Sequence, residues 1–396
     1  MEVGVVGKPN VGKSTFFSAA TLVKAEIASY PFTTIEANRG MMYVRAKCPH
    51  VDFNLQCNPK NSHCENGTRL VPVEAIDVAG LVPDAHKGKG LGNKFLDDLR
   101  QASALIHIVD ASGATDSEGN PCEIGTHDPM EDVEFLEMEI NHWIQGILFK
   151  DWHKLSKQIE MDGAKVERVL AEKLTGLGIT EGMIHAALRD ADLTEKTTQW
   201  SEDDLLNLSH HIRRHSKPMI IAANKCEIAP LDNLKRLGEL EDYIVIPTCA
   251  EVELALRRAT KGGMIEYVPG SNSFKIIEGK GLSEDHQKAF KKIEHYLEKI
   301  SDTGVQRCIE DAVFKLLDLI VVYPVEDESK LTDKEGRVLP DAYLMKRGST
   351  AVDLAYKVHT DLGENFIRAI DTRTKRVVGH DHELKDGDVI KIVANV

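Results

Sequence analysis

Val3-Gly4-Val5-Val6-Gly7-Lys8-Pro9-Asn10-Val11-Gly12-Lys13-Ser14 decides how the rest of the chain is read. A short apolar run with β character ends in the pattern G-x-x-x-x-G-K-[ST], and residues Ser14 to Val23 behind it have helical character. Strand, glycine loop and helix in that order are the context in which such a loop cradles phosphate. The glycines let the backbone curl so that its N–H groups point inward, and the helix adds the positive end of its dipole. Gly7, Pro9, Asn10, Val11, Gly12, Lys13, Ser14 and Thr15 are therefore expected to line the phosphates of a nucleotide. Lys13 should reach the β- and γ-phosphates and Ser14 should offer its hydroxyl to Mg²⁺, which takes oxygen ligands and keeps several waters.

The same logic extends to later strands. Asp77-Val78-Ala79-Gly80 follows the apolar run Leu70 to Ile76 and supplies D-x-x-G. Asp77 is expected to act on the metal through a water, and the Gly80 N–H to meet the γ-phosphate. Pro31-Phe32-Thr33-Thr34 lies between the two motifs, where a loop threonine can reach the metal, and Thr34 is preferred over Thr33. Asn224-Lys225-Cys226-Glu227 closes the run Met219 to Ala223, and Thr248-Cys249-Ala250 closes Tyr243 to Ile246. Nucleotides lie at the carboxyl ends of strands in parallel α/β sheets, so these residues are expected to hold the base. Glu227 can accept from the N1–H and 2-amino group of guanine, and the Lys225 stem can cover the base face.

The chain has 396 residues, enough for two or three domains, with 42% hydrophobic and 28% charged residues. No uncharged apolar run is long enough for a spanning helix, and the opening β run leaves no room for an export signal, so a cytoplasmic monomer without membrane attachment is expected. The net charge of -14 argues against indiscriminate attraction to nucleic acid, although a local basic face is compatible with it. Short β runs alternate with helical stretches through the first quarter and again from Lys217, which is α/β patterning. Between them, in residues 131–215, Leu136, Ile140, Trp143 and Ile147 recur at the spacing of one helix face. This helical insertion carries ten Lys/Arg against seventeen Asp/Glu, the pattern of a solvated helical face. It interrupts one nucleotide-binding domain over residues 1–265. A helical connector over 266–318 and a compact tail over 319–396 follow.

With these residues in hand, the chain resembles an Obg-related P-loop GTPase of the YchF branch over nearly its whole length. The run Asp77-Val-Ala-Gly-Leu-Val-Pro-Asp-Ala-His-Lys-Gly-Lys-Gly-Leu-Gly-Asn-Lys-Phe-Leu96 is similar to that branch's second switch, and Pro31 to Asn38 to its first. Gly348-Ser-Thr-Ala-Val-Asp-Leu-Ala355, Val358-His-Thr-Asp-Leu362 and Leu384-Lys-Asp-Gly-Asp-Val389 look like a TGS domain, a small β-grasp module shared with threonyl-tRNA synthetases. The resemblance implies a mostly parallel P-loop GTPase sheet with a helical insertion, a C-terminal β-grasp domain, and contact with ribosome, rRNA or tRNA. It also implies slow, Mg²⁺-dependent hydrolysis. Members of the branch commonly lose the lysine of N-K-x-E and can prefer ATP. Lys225 is kept here, so GTP is expected, with ATP as the alternative. Leu81 stands where Ras-like enzymes place a water-orienting glutamine. Asn10, Lys13, Thr34 and Gly80 are then the catalytic candidates, Asn10 resembling an asparagine that holds K⁺; His86 and His127 are further polar candidates.

Residues Cys48 to Arg69 exceed what a simple strand turn requires. Cys48-Pro49-His50, Cys57, His63 and Cys64 place three thiols and two imidazoles within it. Zinc held by Cys48, Cys57, Cys64 and His63 is one reading, free thiols or a Cys57–Cys64 disulfide the others. The spacing lacks a C-x-x-C knuckle, and zinc is not counted among the expected cofactors.

Overall fold

The computed structural model describes residues 2–22, 38–78, 80, 92–277 and 282–395. Its first sheet contains β1 (Glu2–Val6), β2 (Arg39–Lys47), β3 (His63–Glu65), β4 (Thr68–Asp77), β5 (Ala102–Asp110), β6 (Met219–Asn224) and β7 (Ile244–Pro247). The strand order is β2-β4-β1-β5-β6-β7, with β3 paired to β4. Along the path β4-β1-β5-β6-β7 every pairing is parallel, whereas β3 pairs antiparallel to β4. Central strands covered on both faces need apolar side chains at every position, and this explains the unbroken runs at Val3–Val6 and Met219–Ala223, all buried. The β3–β4 hairpin turns at Asn66 (φ 49°) and Gly67 (φ 86°), the left-handed pair that a tight two-residue hairpin requires.

Helix α1 (Lys13–Thr21) follows β1 directly, α2 (His50–Phe53) precedes the β3–β4 hairpin, and α3 (Gly92–Gln101) leads into β5. The insertion consists of α4 (Pro129–Phe149), α5 (Trp152–Asp162), α6 (Val166–Leu174), α7 (Glu181–Ala191) and α8 (Glu202–Ser216). Asp128 caps α4 by accepting from the Met130 N–H, with Pro129 at the first helical position where its missing donor costs nothing. Leu136, Ile140 and Trp143 are buried in one cluster with Ile147 packed against it, as their periodicity predicts. Trp152 and Trp200 stack in that core at 5.4 Å. Helix α8 starts with a Ser201/Asp204 capping box and three acids and ends with Arg213, Arg214 and His215, matching the helix dipole at both ends.

Beyond β6 come α9 (Leu231–Gly238), β7, α10 (Ala250–Lys261), the short pair β8 (Ile265–Glu266) and β9 (Lys275–Ile276), α11 (Glu284–Ile300) and α12 (Val305–Asp311). The C-terminal sheet has β10 (Leu319–Val325), β11 (Tyr343–Lys346), β12 (Phe366–Asp371), β13 (Arg376–Val378) and β14 (Val389–Ala394) in the order β11-β10-β14-β12-β13. Helices α13 (Ala351–Val358) and α14 (Thr360–Glu364) belong to the same domain. Ile320, Val322, Met345, Leu354, Ala369 and Ile390 form its core, and a Thr350/Asp353 capping box starts α13.

By its contacts the chain divides into two units. Among the described residues, one holds 2–22, 38–40 and 74–308, the other 41–73 and 309–395. This departs from the expected partition in two places. Residues 266–308 are not a free connector, because Phe290, Ile293 and Leu297 of α11 pack on Leu256, Ala259 and Ile265. Residues 41–73 group with the tail, because Asn58 N–H and Lys60 N–H donate to the carbonyls of Val338 and Pro340, and Asn61 exchanges two bonds with Ala342. Among the described residues no helix is long and apolar enough to cross a membrane.

Candidate nucleotide-binding site

The loop between β1 and α1 is shaped by three left-handed or open positions, Gly7 (φ 153°), Asn10 (φ 63°) and Gly12 (φ 95°). A Cβ on Gly7 would stand 2.6 Å from the Ile108 carbonyl oxygen of β5. Gly12 is the N-cap of α1, and no side chain caps that end, so its first N–H groups are left to a ligand. Ser14 is exposed and Thr15 half-buried on the first turn. Lys13 Nζ pairs with Asp77 Oδ1 at 2.6 Å, the two side chains 13% and 22% exposed. The cation expected to meet phosphates thus already rests on the carboxylate expected to meet the metal. Gly80 lies against Pro9, where a Cβ would be 3.6 Å from the Pro9 Cγ. Thr33, Thr34, Leu81 and His86 lie outside the described residues.

The strand ends of β6 and β7 are stitched to this loop. Asn224 Nδ2 donates to the Val11 carbonyl at 2.8 Å and Asn224 Oδ1 accepts from the Ala250 N–H at 3.0 Å. Lys225, itself left-handed at φ 58°, donates through Nζ to the Asn10 carbonyl at 3.1 Å and pairs with Asp110 Oδ2 at 2.7 Å. Burial opposes ionisation of Asp110, yet hydrogen bonds from Lys225, Ser112 and Thr115 outweigh it and hold the carboxyl below its usual range. The Thr248 N–H donates to the Ala223 carbonyl, the Cys226 N–H to Thr248, and the Cys249 N–H to Thr303. Glu227 is exposed at this end and acts on Cys249, whose thiol is pushed far up by burial and by the Glu227 carboxylate. Tyr296 of α11 closes the other side, its hydroxyl 3.1 Å from Cys226 Sγ.

Two networks were invisible in the sequence. Lys8, almost fully buried, donates to the Thr115 carbonyl at 2.9 Å and to Asp132 at 2.7 Å, and His127 Nε2 meets the same Asp132 oxygen at 2.8 Å. His127 is therefore a strut beneath the phosphate loop, and not a free polar helper at the phosphates. His107 of β5 is pushed down to about 3 by burial and by the Lys8 charge, so it stays neutral here. Asn10 Nδ2 donates to the Gly119 carbonyl at 2.8 Å, and Gly119 sits so close to Pro9 that a Cβ there would be 2.8 Å from the Pro9 oxygen.

Family models match in the order that this geometry suggests. "50S ribosome-binding GTPase" covers residues 2–142, "Obg-like GTPase YGR210-like, G4 motif-containing domain" covers 222–327, and "TGS domain" covers 332–394. A GTP-binding protein of Methanocaldococcus jannaschii is 55% identical over 394 residues, which are 99% of this chain and 98% of that protein. The chain belongs to the Obg-related, YchF-type GTPase family. Within that family, the ribosome-binding ATPase YchF of Bacillus subtilis is 29% identical over 427 residues, covering 100% of both chains. The crystal structure of a GTP-binding protein from Pyrococcus horikoshii has a TM-score of 0.80 at 47% identity and full coverage of both chains. As a YchF-type protein the chain carries a P-loop nucleotide hydrolase domain and a C-terminal TGS domain. It shares the family's α/β fold with a mostly parallel sheet.

Proposed function

We propose that this YchF-type protein is a slow switch that hydrolyses GTP, ATP being the alternative substrate, and that it acts with the ribosome, its rRNA or tRNA. The observation that carries the reading is the pair of side chains joining base loop to phosphate loop: Asn224 on the Val11 carbonyl and Lys225 on the Asn10 carbonyl. A ligand spanning both loops would feel one coupled frame. GTP is favoured because Lys225 is present, because Glu227 offers a carboxylate at that strand end, and because the 55%-identical relative is named GTP-binding while the ATPase-named one is 29% identical. The ribosome enters through the Bacillus subtilis relative's name and the TGS domain.

Mg²⁺ fits the donor set, since Ser14 and Asp77 offer only hard oxygens beside the phosphate loop. Ser14 would hold it directly, with Asp77 through water and Thr34 as the third contributor. When bound, it would neutralise phosphate charge. Lys13 would then exchange Asp77 for phosphate oxygens, and the Gly80 N–H would meet the γ-phosphate. With Nδ2 of Asn10 held by Gly119, its oxygen is the atom left for K⁺.

Glu227→Ala is expected to weaken GTP binding by about 1.5–3 kcal/mol, the worth of hydrogen bonds to a charged acceptor, and to leave ATP affinity nearly unchanged. Calorimetry on both nucleotides decides it, and equal losses would remove Glu227 from the base site. Turnover measured with and without ribosomes, in K⁺ and in Na⁺ at one ionic strength, tests the switch itself. Ribosomes and K⁺ should each raise the rate, and Asn10→Ala should erase the K⁺ preference. Turnover that stays negligible under every condition would make the chain a nucleotide-gated binding module.

A further inference from the structure

Cys48, His50, Cys57 and Cys64 come from three places: the end of β2, the first turn of α2, and the β3 arm of the hairpin with the loop before it. Their ligand atoms nevertheless all lie within 4.8 Å of one another. Cys48 Sγ and Cys57 Sγ are 3.9 Å apart, and His50 Nδ1 is 3.3 Å from Cys57 Sγ and 3.5 Å from Cys64 Sγ. A tetrahedral zinc with bonds of about 2.3 Å to sulfur and about 2.05 Å to nitrogen sets S···S edges near ~3.8 Å and S···N edges near ~3.6 Å. The three edges given lie within about 0.3 Å of that polyhedron, and the rest are within 4.8 Å, a spread that ligands closing on a metal would take up. They do not match a disulfide, whose sulfurs stand about 2.05 Å apart and which would use only two of the three thiols. The expected fourth ligand, His63, is replaced by His50. His63 opens β3, opposite Leu70, and its imidazole is not among the clustered groups.

A second observation is independent of these distances. Arg69 is fully buried, and among the described residues no carboxylate stands at ion-pair distance from it, the Asp341 carboxylate acting on it only from farther away. Its guanidinium donates to Cys48 Sγ at 3.3 Å, to Ser62 Oγ at 2.9 Å and to the Leu339 carbonyl at 3.0 and 3.1 Å, and it lies 5.4 Å from the Tyr323 ring centroid. Its Nε has no partner. A buried guanidinium without an anion is costly, because the desolvation of its charge is not returned. Three thiolates on one Zn²⁺ leave a net charge of -1, and Cys48 would place that charge directly against Arg69.

We propose that Cys48, His50, Cys57 and Cys64 hold one structural Zn²⁺, with Arg69 as the buried counter-cation to the thiolate cluster. Four protein ligands leave no open position, so the site is a clasp and not a hydrolytic centre. It closes the Cys48–Cys64 loop, and through Arg69 on the Leu339 carbonyl it fastens residues 41–73 to the C-terminal domain within their shared unit.

The full-length chain should purify with one zinc per molecule by elemental analysis. After exchange with Co²⁺ alone, it should show the intense visible bands of four-coordinate cobalt and near-ultraviolet thiolate charge transfer. Cys57→Ser and Cys64→Ser should lose both the metal and the charge-transfer band, whereas His63→Ala should keep them; nucleotide binding by the first unit serves as the folding control. If the serine variants fail to fold, mercurial titration of the unmodified protein replaces them, and zinc should leave in step with three of the seven cysteines. Protein free of metal with these thiols openly alkylated, a Cys57–Cys64 disulfide in mass spectra, or stoichiometric iron in place of zinc would each overturn the proposal.

Discussion

Lys13→Ala should abolish triphosphate binding at micromolar concentrations, lowering affinity about 10²- to 10³-fold, while the protein stays folded. Lys13 would make charge-assisted bonds to two phosphates, each worth about 1.5–3 kcal/mol, and no other described cation stands ready to replace it. Lys8 is committed to Asp132, and Lys225 to Asp110. The effect on stability is smaller. The Lys13–Asp77 pair is partly exposed, so its loss should cost no more than about 1 kcal/mol of unfolding free energy. The pair has a further consequence for diphosphate. Removing the cation frees Asp77 to repel phosphate, so diphosphate affinity should fall as well, though less than triphosphate affinity because one phosphate contact is absent. Calorimetry with GTP, a slowly hydrolysed GTP analogue and GDP reads all three. Unchanged triphosphate affinity would remove the Gly7–Ser14 loop from the nucleotide site.

Local chemistry explains what the sequence made legible. A glycine loop between a buried strand and a helix has few alternative uses. The Leu136/Ile140/Trp143/Ile147 spacing can bury one face only as a helix, and both N-K-x-E and T-C-A sit where an apolar run stops. What escaped is long-range pairing. Lys8 and Asp132 lie 124 positions apart, Lys225 and Asp110 lie 115 apart, and no periodicity links either pair. One signal was available for Asp110: like Asn224, it closes an apolar strand of the same parallel sheet, and polar residues at those ends tend to face the ligand crevice. Lys13 rests on Asp77, because a lysine beside a carboxylate in a half-buried cleft gains more from pairing than from hydration. His63 and His50 are equally close in sequence to the thiols. Only the turn of α2 and the Asn66–Gly67 hairpin decide which imidazole arrives. Tyr296 on Cys226 depends on how α11 packs back onto α10, which its own amphipathic pattern does not specify.

Gly12→Ala should damage both the stability and the nucleotide affinity of this domain strongly. Gly12 has φ 95°, outside the regions that alanine occupies without strain, and its new Cβ would stand 2.3 Å from Asn224 Nδ2. The amide cannot swing away freely. Asn224 is only 3% exposed and is held at both ends, by the Val11 carbonyl and the Ala250 N–H. Relief therefore requires either breaking one of those bonds or lifting the phosphate loop from the base loop. Left-handed strain of about 1–2 kcal/mol plus a broken buried hydrogen bond of about 1–3 kcal/mol gives an expected loss of roughly 2–5 kcal/mol in unfolding free energy. Nucleotide affinity should fall with it, since the two loops are displaced relative to one another. A double-mutant cycle isolates the cause. In an Asn224→Ala background the clash partner is gone, so adding Gly12→Ala should cost only the backbone strain, and the two substitutions should combine to less than the sum of their separate effects. Denaturant unfolding of the four proteins measures the coupling. Strictly additive losses would mean that Gly12 is needed for its own backbone conformation alone, and that Asn224 does not depend on the absent side chain.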